Sequence, residues 1–159
     1  MSDSIPPRPH ATREIIRDAA AELALKMDCS ADDLANHYYP RFDGYEFARE
    51  LERHAGWSTS RSMVDDLDEM EWLVDERVEA AEKQWFADND IKPPLPIGTC
   101  VLCRVRDRFG FIDAVCEYGI AKYLVTPEIP DEHEKATGGR WVIAFESVKE
   151  AQNELSREA

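Results

Sequence analysis

The hydrophobic period of this chain changes across Lys92-Pro-Pro-Leu-Pro96, and that change does most to limit the fold. Before it, apolar residues return every three or four positions, the period of a helix that buries one face. After it they alternate, which is the period of a strand. The three prolines exclude a helix at the junction and favour an extended connector. The expected fold is therefore α+β, with a helical domain over residues 12–91, a Pro-rich linker over 92–96 and a small antiparallel β domain over 97–147. Residues 1–11, with prolines at 6, 7 and 9, read as a flexible arm, and residues 148–159 as a C-terminal helix or tail.

Most of the functional signal lies in the last helix before the prolines. Met63, Leu67, Met70, Val74, Val78, Ala81 and Trp85 recur at steps of four and three, forming one narrow stripe. Ser58 or Ser60 can start this helix, which is expected to run uninterrupted to about Asp88. Asp65, Asp68, Glu69, Asp75, Glu76 and Glu79 lie on the opposite side. Between Asp65 and Asp90, eleven carboxylates face only Arg77 and Lys83. Such a ridge repels itself at some cost to helix stability, whereas solubility alone is served by mixed signs. Charges at these intervals rise by about 5 Å per step, a spacing of the order found along nucleic acid. The ridge thus suits a basic protein or nucleoprotein complex as partner. Its plainer reading is the solvated face that any helix needs. Trp72 falls near the centre of the outward face. It is either an apolar anchor in a polar rim or a core residue packed under a neighbouring element.

The whole chain carries 33 acidic against 19 basic residues, a net charge of −14. That balance disfavours direct nucleic-acid binding, which needs cations to neutralise phosphates, and disfavours anionic membranes as well. No apolar run approaches the ~20 residues of a membrane span. The N-terminal stretch lacks the apolar core of a secretory signal, so the expected location is cytoplasmic, in a bacterial or viral setting. Cys29, Cys100, Cys103 and Cys116 are then reduced thiols. With 43% apolar residues the chain can still build a core. Thr12 is a candidate N-cap for a first helix to Met27, and Ser30 with Asp33 for a second that Pro40 stops. Asp43 with Glu46 forms a capping box for a third, with Gly56 at its left-handed end.

In the β domain, strands are expected over 101–106, 111–116, 120–125 and 140–145. Asp107–Gly110 reads as a turn and Pro127–Gly139 as a polar loop. The run Ile97-Gly-Thr, Phe109-Gly-Phe-Ile112, Tyr118-Gly-Ile-Ala-Lys-Tyr-Leu-Val125 and Trp141-Val-Ile resembles a small SH3-like β-barrel. The segment Asp43–Trp57 with its following charged helix resembles small phage and prophage accessory proteins. That resemblance implies a counter-defence inhibitor of the anti-CRISPR kind. SH3-like modules that bind nucleic acid expose basic loops, whereas this domain is weakly acidic.

The catalytic and metal signals are thin. Cys100-x-x-Cys103 is half a zinc motif, and Cys116 with His133 would complete four ligands. A strand, however, sends positions 100 and 103 to opposite faces, and no second short-spaced pair follows. No Gly-rich phosphate loop or nucleophile motif is present. The expectation is a non-catalytic binding protein with no cofactor and no metal, acting through Asp65, Asp68, Glu69, Trp72, Asp75, Glu76 and Glu79 as a nucleic-acid mimic. The alternative is an accessory or assembly protein whose Tyr118, Tyr123 and Trp141 form an aromatic surface for a peptide or subunit. A homodimer through the apolar stripe is also compatible with the pattern.

Overall fold

The computed structural model describes residues 5–151. The chain is α+β, and it divides into one compact unit over Pro7–Trp85 and another built from Phe86 onward. The first unit contains α1 (Arg13–Met27), α2 (Ala31–His37), α3 (Gly44–His54), α4 (Arg61–Leu67) and all but the last turn of α5 (Glu69–Asp88). Polar caps set the helix starts. Thr12 accepts from the Ile15 N–H, Ser30 from Asp33 and Ser60 from Met63. Asp43 and Glu46 form a reciprocal capping box at the start of α3. Each cap satisfies amide donors that the first helical turn leaves without intrahelical partners.

The apolar faces of these helices converge on one core. Ala19, Ala20, Leu23, Leu34, Phe47, Leu51, Leu67 and Met70 are buried in it, together with Leu73 and Val74. Tyr38 meets Phe47 edge-on at 5.3 Å. Trp57 is held over the second helix by its indole N–H, which donates to Asp33 at 2.9 Å.

The long helix runs from Arg61 to Asp88 as expected. Only a local irregularity at Asp68 separates α4 from α5: the backbone there keeps helical angles (φ −58, ψ −27) and its N–H still donates to the Val64 carbonyl at 3.1 Å. The Asp68 carboxylate turns aside to accept the Gly44 N–H at the start of α3. Gly44 allows that approach because a Cβ there would lie 2.2 Å from the Val64 carbonyl oxygen.

The second unit is a five-stranded antiparallel sheet. It comprises β1 (Cys100–Cys103), β2 (Arg108–Val115), β3 (Lys122–Pro127), β4 (Trp141–Ala144) and β5 (Val148–Glu150), in the order β4-β3-β2-β1-β5. The expected SH3-like barrel is not formed, because the sheet stays open, with β4 and β5 as its edges. These edge strands are four and three residues long.

Three local expectations also change. The first turn lies at Arg104–Asp107, with Asp107 left-handed (φ 50), and not at Asp107–Gly110. Gly110 is a strand residue against which β3 packs closely, since a Cβ there would meet the Thr126 carbonyl oxygen at 2.6 Å. The loop after β3 contains a short helix, α6 (Glu132–Thr137), with its own capping box from Asp131 and Glu134. The chain after Phe145 makes a 3₁₀ turn and then adds β5 alongside β1, in place of a helix or tail. Residues 152–159 of that expectation lie outside the described residues.

The Pro-rich segment is tied to the sheet at Leu95. Buried Tyr123 accepts a hydrogen bond from the Leu95 N–H at 2.8 Å and donates one to the Leu95 carbonyl at 2.9 Å. The boundary between the units accordingly falls near the end of α5, ahead of the prolines.

Candidate interaction surface on the acidic helix

The stripe and the ridge separate on α4 and α5 as their spacing requires. Leu67, Met70, Val74 and Trp85 are buried, and Met63, Val78 and Ala81 are partly so. Leu73, absent from the sequence stripe, joins the core beside Val74. Asp65, Asp68, Glu69, Asp75, Glu76 and Glu79 are all exposed. Trp72 is 63% exposed, so it is not packed as a core residue under a neighbouring element. One turn to either side of it stand Asp68, Glu69, Asp75 and Glu76, the neighbours at three and four residues that share its face.

The six carboxylates are not equivalent. Asp68 is committed to the Gly44 N–H. Glu69 pairs with Lys26 of α1, which also lies 3.3 Å from Asp66. These acids raise the Lys26 pKa, the Glu69 hydrogen bond most of all. Glu79 pairs with Lys83 one turn on, at 2.7 Å, and that hydrogen bond lowers its own pKa. Asp65, Asp75 and Glu76 make no ion pair among the described residues. Arg77, in the same stretch of helix, is drawn away from them. It donates to Glu22 of α1 at 2.6 Å and to the Leu73 carbonyl at 3.0 Å. The uncompensated charge is felt inside the unit. The Tyr38 hydroxyl is pushed up to about 12, first by burial and then by the charges of Glu71 and Asp75. Glu71 thus belongs to the acidic surface too, although the sequence reading did not single it out.

The alternative aromatic surface does not assemble. Tyr118 is 97% exposed, but Tyr123 is fully buried and Trp141 is 4% exposed. Tyr123 packs on Phe145 at 4.4 Å between ring centres. Trp141 lies under the guanidinium of Arg108 at 4.8 Å, and its indole N–H donates to Glu134 at 2.7 Å. Glu134 also receives both terminal nitrogens of Arg108, at 3.1 and 3.0 Å. Those bonds come first among the causes that hold its carboxyl down to about 2. This network joins α6 to the sheet. The large apolar side chains that the sheet strands do expose are Phe109, Phe111 and Val115 on β2 and Val142 on β4. Alternation on β2 would have revealed the first two had the Gly110 segment been read as strand.

The four cysteines are free thiols. Cys103 and Cys116 are buried in the sheet unit, and burial raises the Cys103 pKa, which suits an inert core thiol. Among the described residues no group of His, Cys, Asp and Glu side chains is placed to hold a metal ion, and no helix is long and apolar enough to cross a membrane. Comparison with known protein families, with curated proteins and with solved structures finds no match to this chain.

Proposed function

We propose that this is a non-catalytic interaction protein whose acidic helix occupies a basic, nucleic-acid-binding surface of a partner complex and blocks it. The observation that carries the reading is an exposed indole, Trp72, set among Asp65, Asp75 and Glu76, acids without ion-pair partners among the described residues. An aromatic anchor in a charged rim is the usual make-up of an interface hot spot. Complementary charge speeds encounter and makes association salt-sensitive. The resemblance of Asp43–Trp57 and its following helix to phage accessory proteins supports a counter-defence inhibitor of the anti-CRISPR type, working as a DNA mimic in the bacterial cytoplasm.

The test reverses Asp65, Asp75 and Glu76 to Lys together. Asp68 and Glu69 are left alone because they hold α3 and α1 in place. Binding to the partner complex should be lost while the far-UV helical signal is retained. Binding that survives with the same salt dependence reduces the ridge to a solubilising face.

A second reading draws on the exposed Phe109, Phe111 and Val142, which would serve an accessory protein that docks a peptide or subunit on its sheet. Phe111→Ser abolishes binding under that reading and leaves it intact under the first.

A further inference from the structure

α3 carries a second surface, of mixed charge. We propose that the pocket lined by Phe42, Tyr45, Glu46, Arg49, Glu50 and Arg53 binds a nucleoside monophosphate. Its volume is about 390 Å³, within the range of roughly 300–1,000 Å³ found for small-molecule sites. Phe47, Ala48 and Leu51 turn the other face of α3 into the core. Tyr45, Arg49 and Arg53 therefore stand above one another at four-residue steps on the outside.

The charge in this pocket is unevenly satisfied. The Glu46 carboxylate is engaged by the Asp43 N–H in the capping box, and Glu50 lies 3.5 Å from the His54 imidazole. Arg49 and Arg53 make no ion pair or side-chain hydrogen bond among the described residues. Glu46 and Glu50 line the pocket too, but neither is paired with Arg49 or Arg53 among the described residues, so the two guanidinium groups are set for an anion from outside. Arginine presents the planar fork that matches phosphate oxygens. Phe42 and the 62% exposed Tyr45 supply aromatic faces on which a base can stack. Arg41, just before Phe42, holds a left-handed backbone (φ 80), and such strain in a non-glycine residue tends to gather at ligand clamps.

The occupant is a free nucleotide and not a nucleic-acid strand. The pocket has room for one base and its phosphate, and the acidic chain around it repels a polyanion.

The test titrates the full-length protein with the four common ribonucleoside monophosphates, the matching nucleosides and a single-stranded oligonucleotide. At least one monophosphate should bind about tenfold or more tightly than its nucleoside. Joint Arg49→Gln and Arg53→Gln substitution should remove that preference, and Tyr45→Ala should weaken both ligands, with the far-UV spectrum unchanged throughout. The proposal is overturned if no monophosphate binds at about 1 mM, if nucleoside and monophosphate bind equally, or if the arginine variant binds as the parent does. It is equally overturned if the oligonucleotide binds and the monophosphates do not.

Discussion

Met70 and Trp72 lie two positions apart on α5 and should respond in opposite ways to truncation. Met70 has no exposed surface and touches the core shared by the helices. Removing such a side chain costs about 2–5 kcal/mol, the lost burial plus the cavity left behind. Trp72 is 63% exposed, and a surface substitution of that kind stays within about 0.5 kcal/mol. For a unit the size of Pro7–Trp85, each kcal/mol moves the thermal midpoint by roughly 4–8 °C. A mid-range loss of about 3 kcal/mol in Met70→Ala therefore lowers the helical midpoint by about 12–24 °C, whereas Trp72→Ala shifts it by no more than about 4 °C. Thermal unfolding followed by far-UV circular dichroism reads both. If Trp72→Ala falls as far as Met70→Ala, the indole is a core residue and the proposed interface loses its anchor. If Met70→Ala is neutral, the stripe does not hold the unit together.

Other consequences follow from individual contacts. Gly44→Ala drives a methyl group into the Val64 carbonyl and the Asp68 carboxylate, so it should destabilise the helical unit by about 1–3 kcal/mol in denaturant unfolding. Tyr123→Phe leaves the Leu95 N–H and carbonyl without the partner they have now. A cost of about 1–3 kcal/mol is expected, read as a lower denaturant midpoint for the sheet. Glu134 titrates at about 2 when folded, below its ordinary 4.5. Its contribution is present in full above about 4.5 and drains away as pH falls toward about 2. Acid unfolding of the sheet should steepen in that window, and Glu134→Gln should flatten it. Asp75→Lys removes one of the charges that raise Tyr38, so an ultraviolet titration should show that tyrosine ionising at a lower pH than in the parent.

The helical half was legible because its signals are local. Thr12, Ser30, Asp43 and Ser60 cap the helices they precede, and a 3.6-residue period reports which side is buried. The ridge was legible for the same reason. Its compensation was not, because Lys26 reaches Glu69 and Asp66, and Glu22 reaches Arg77, from far along the chain. Asp68 illustrates the same limit, since its role was fixed by Gly44, 24 residues earlier.

The sheet was read less well, because strand registers and edges depend on pairing between distant segments. Gly110 looked like a turn because glycine breaks strands, yet it sits where β3 approaches too closely for a side chain. β5 is three residues long, below what alternation can signal. Tyr123 and Trp141 looked like a binding surface because aromatic residues suit one. Their polar ends are instead spent on Leu95 and Glu134.

Under the proposed function, the acidic face of α4 and α5 competes with nucleic acid for a basic surface. The most direct measurement is capture of nucleic-acid-processing complexes from a bacterial lysate on the immobilised protein, with duplex DNA as competitor, at about 0.05 and 0.5 M salt. The parent and the Asp65→Lys, Asp75→Lys, Glu76→Lys variant are run side by side. A complex held by the parent alone and released by both DNA and salt is the expected result. A complex held equally by the two proteins, or one that DNA cannot displace, contradicts it.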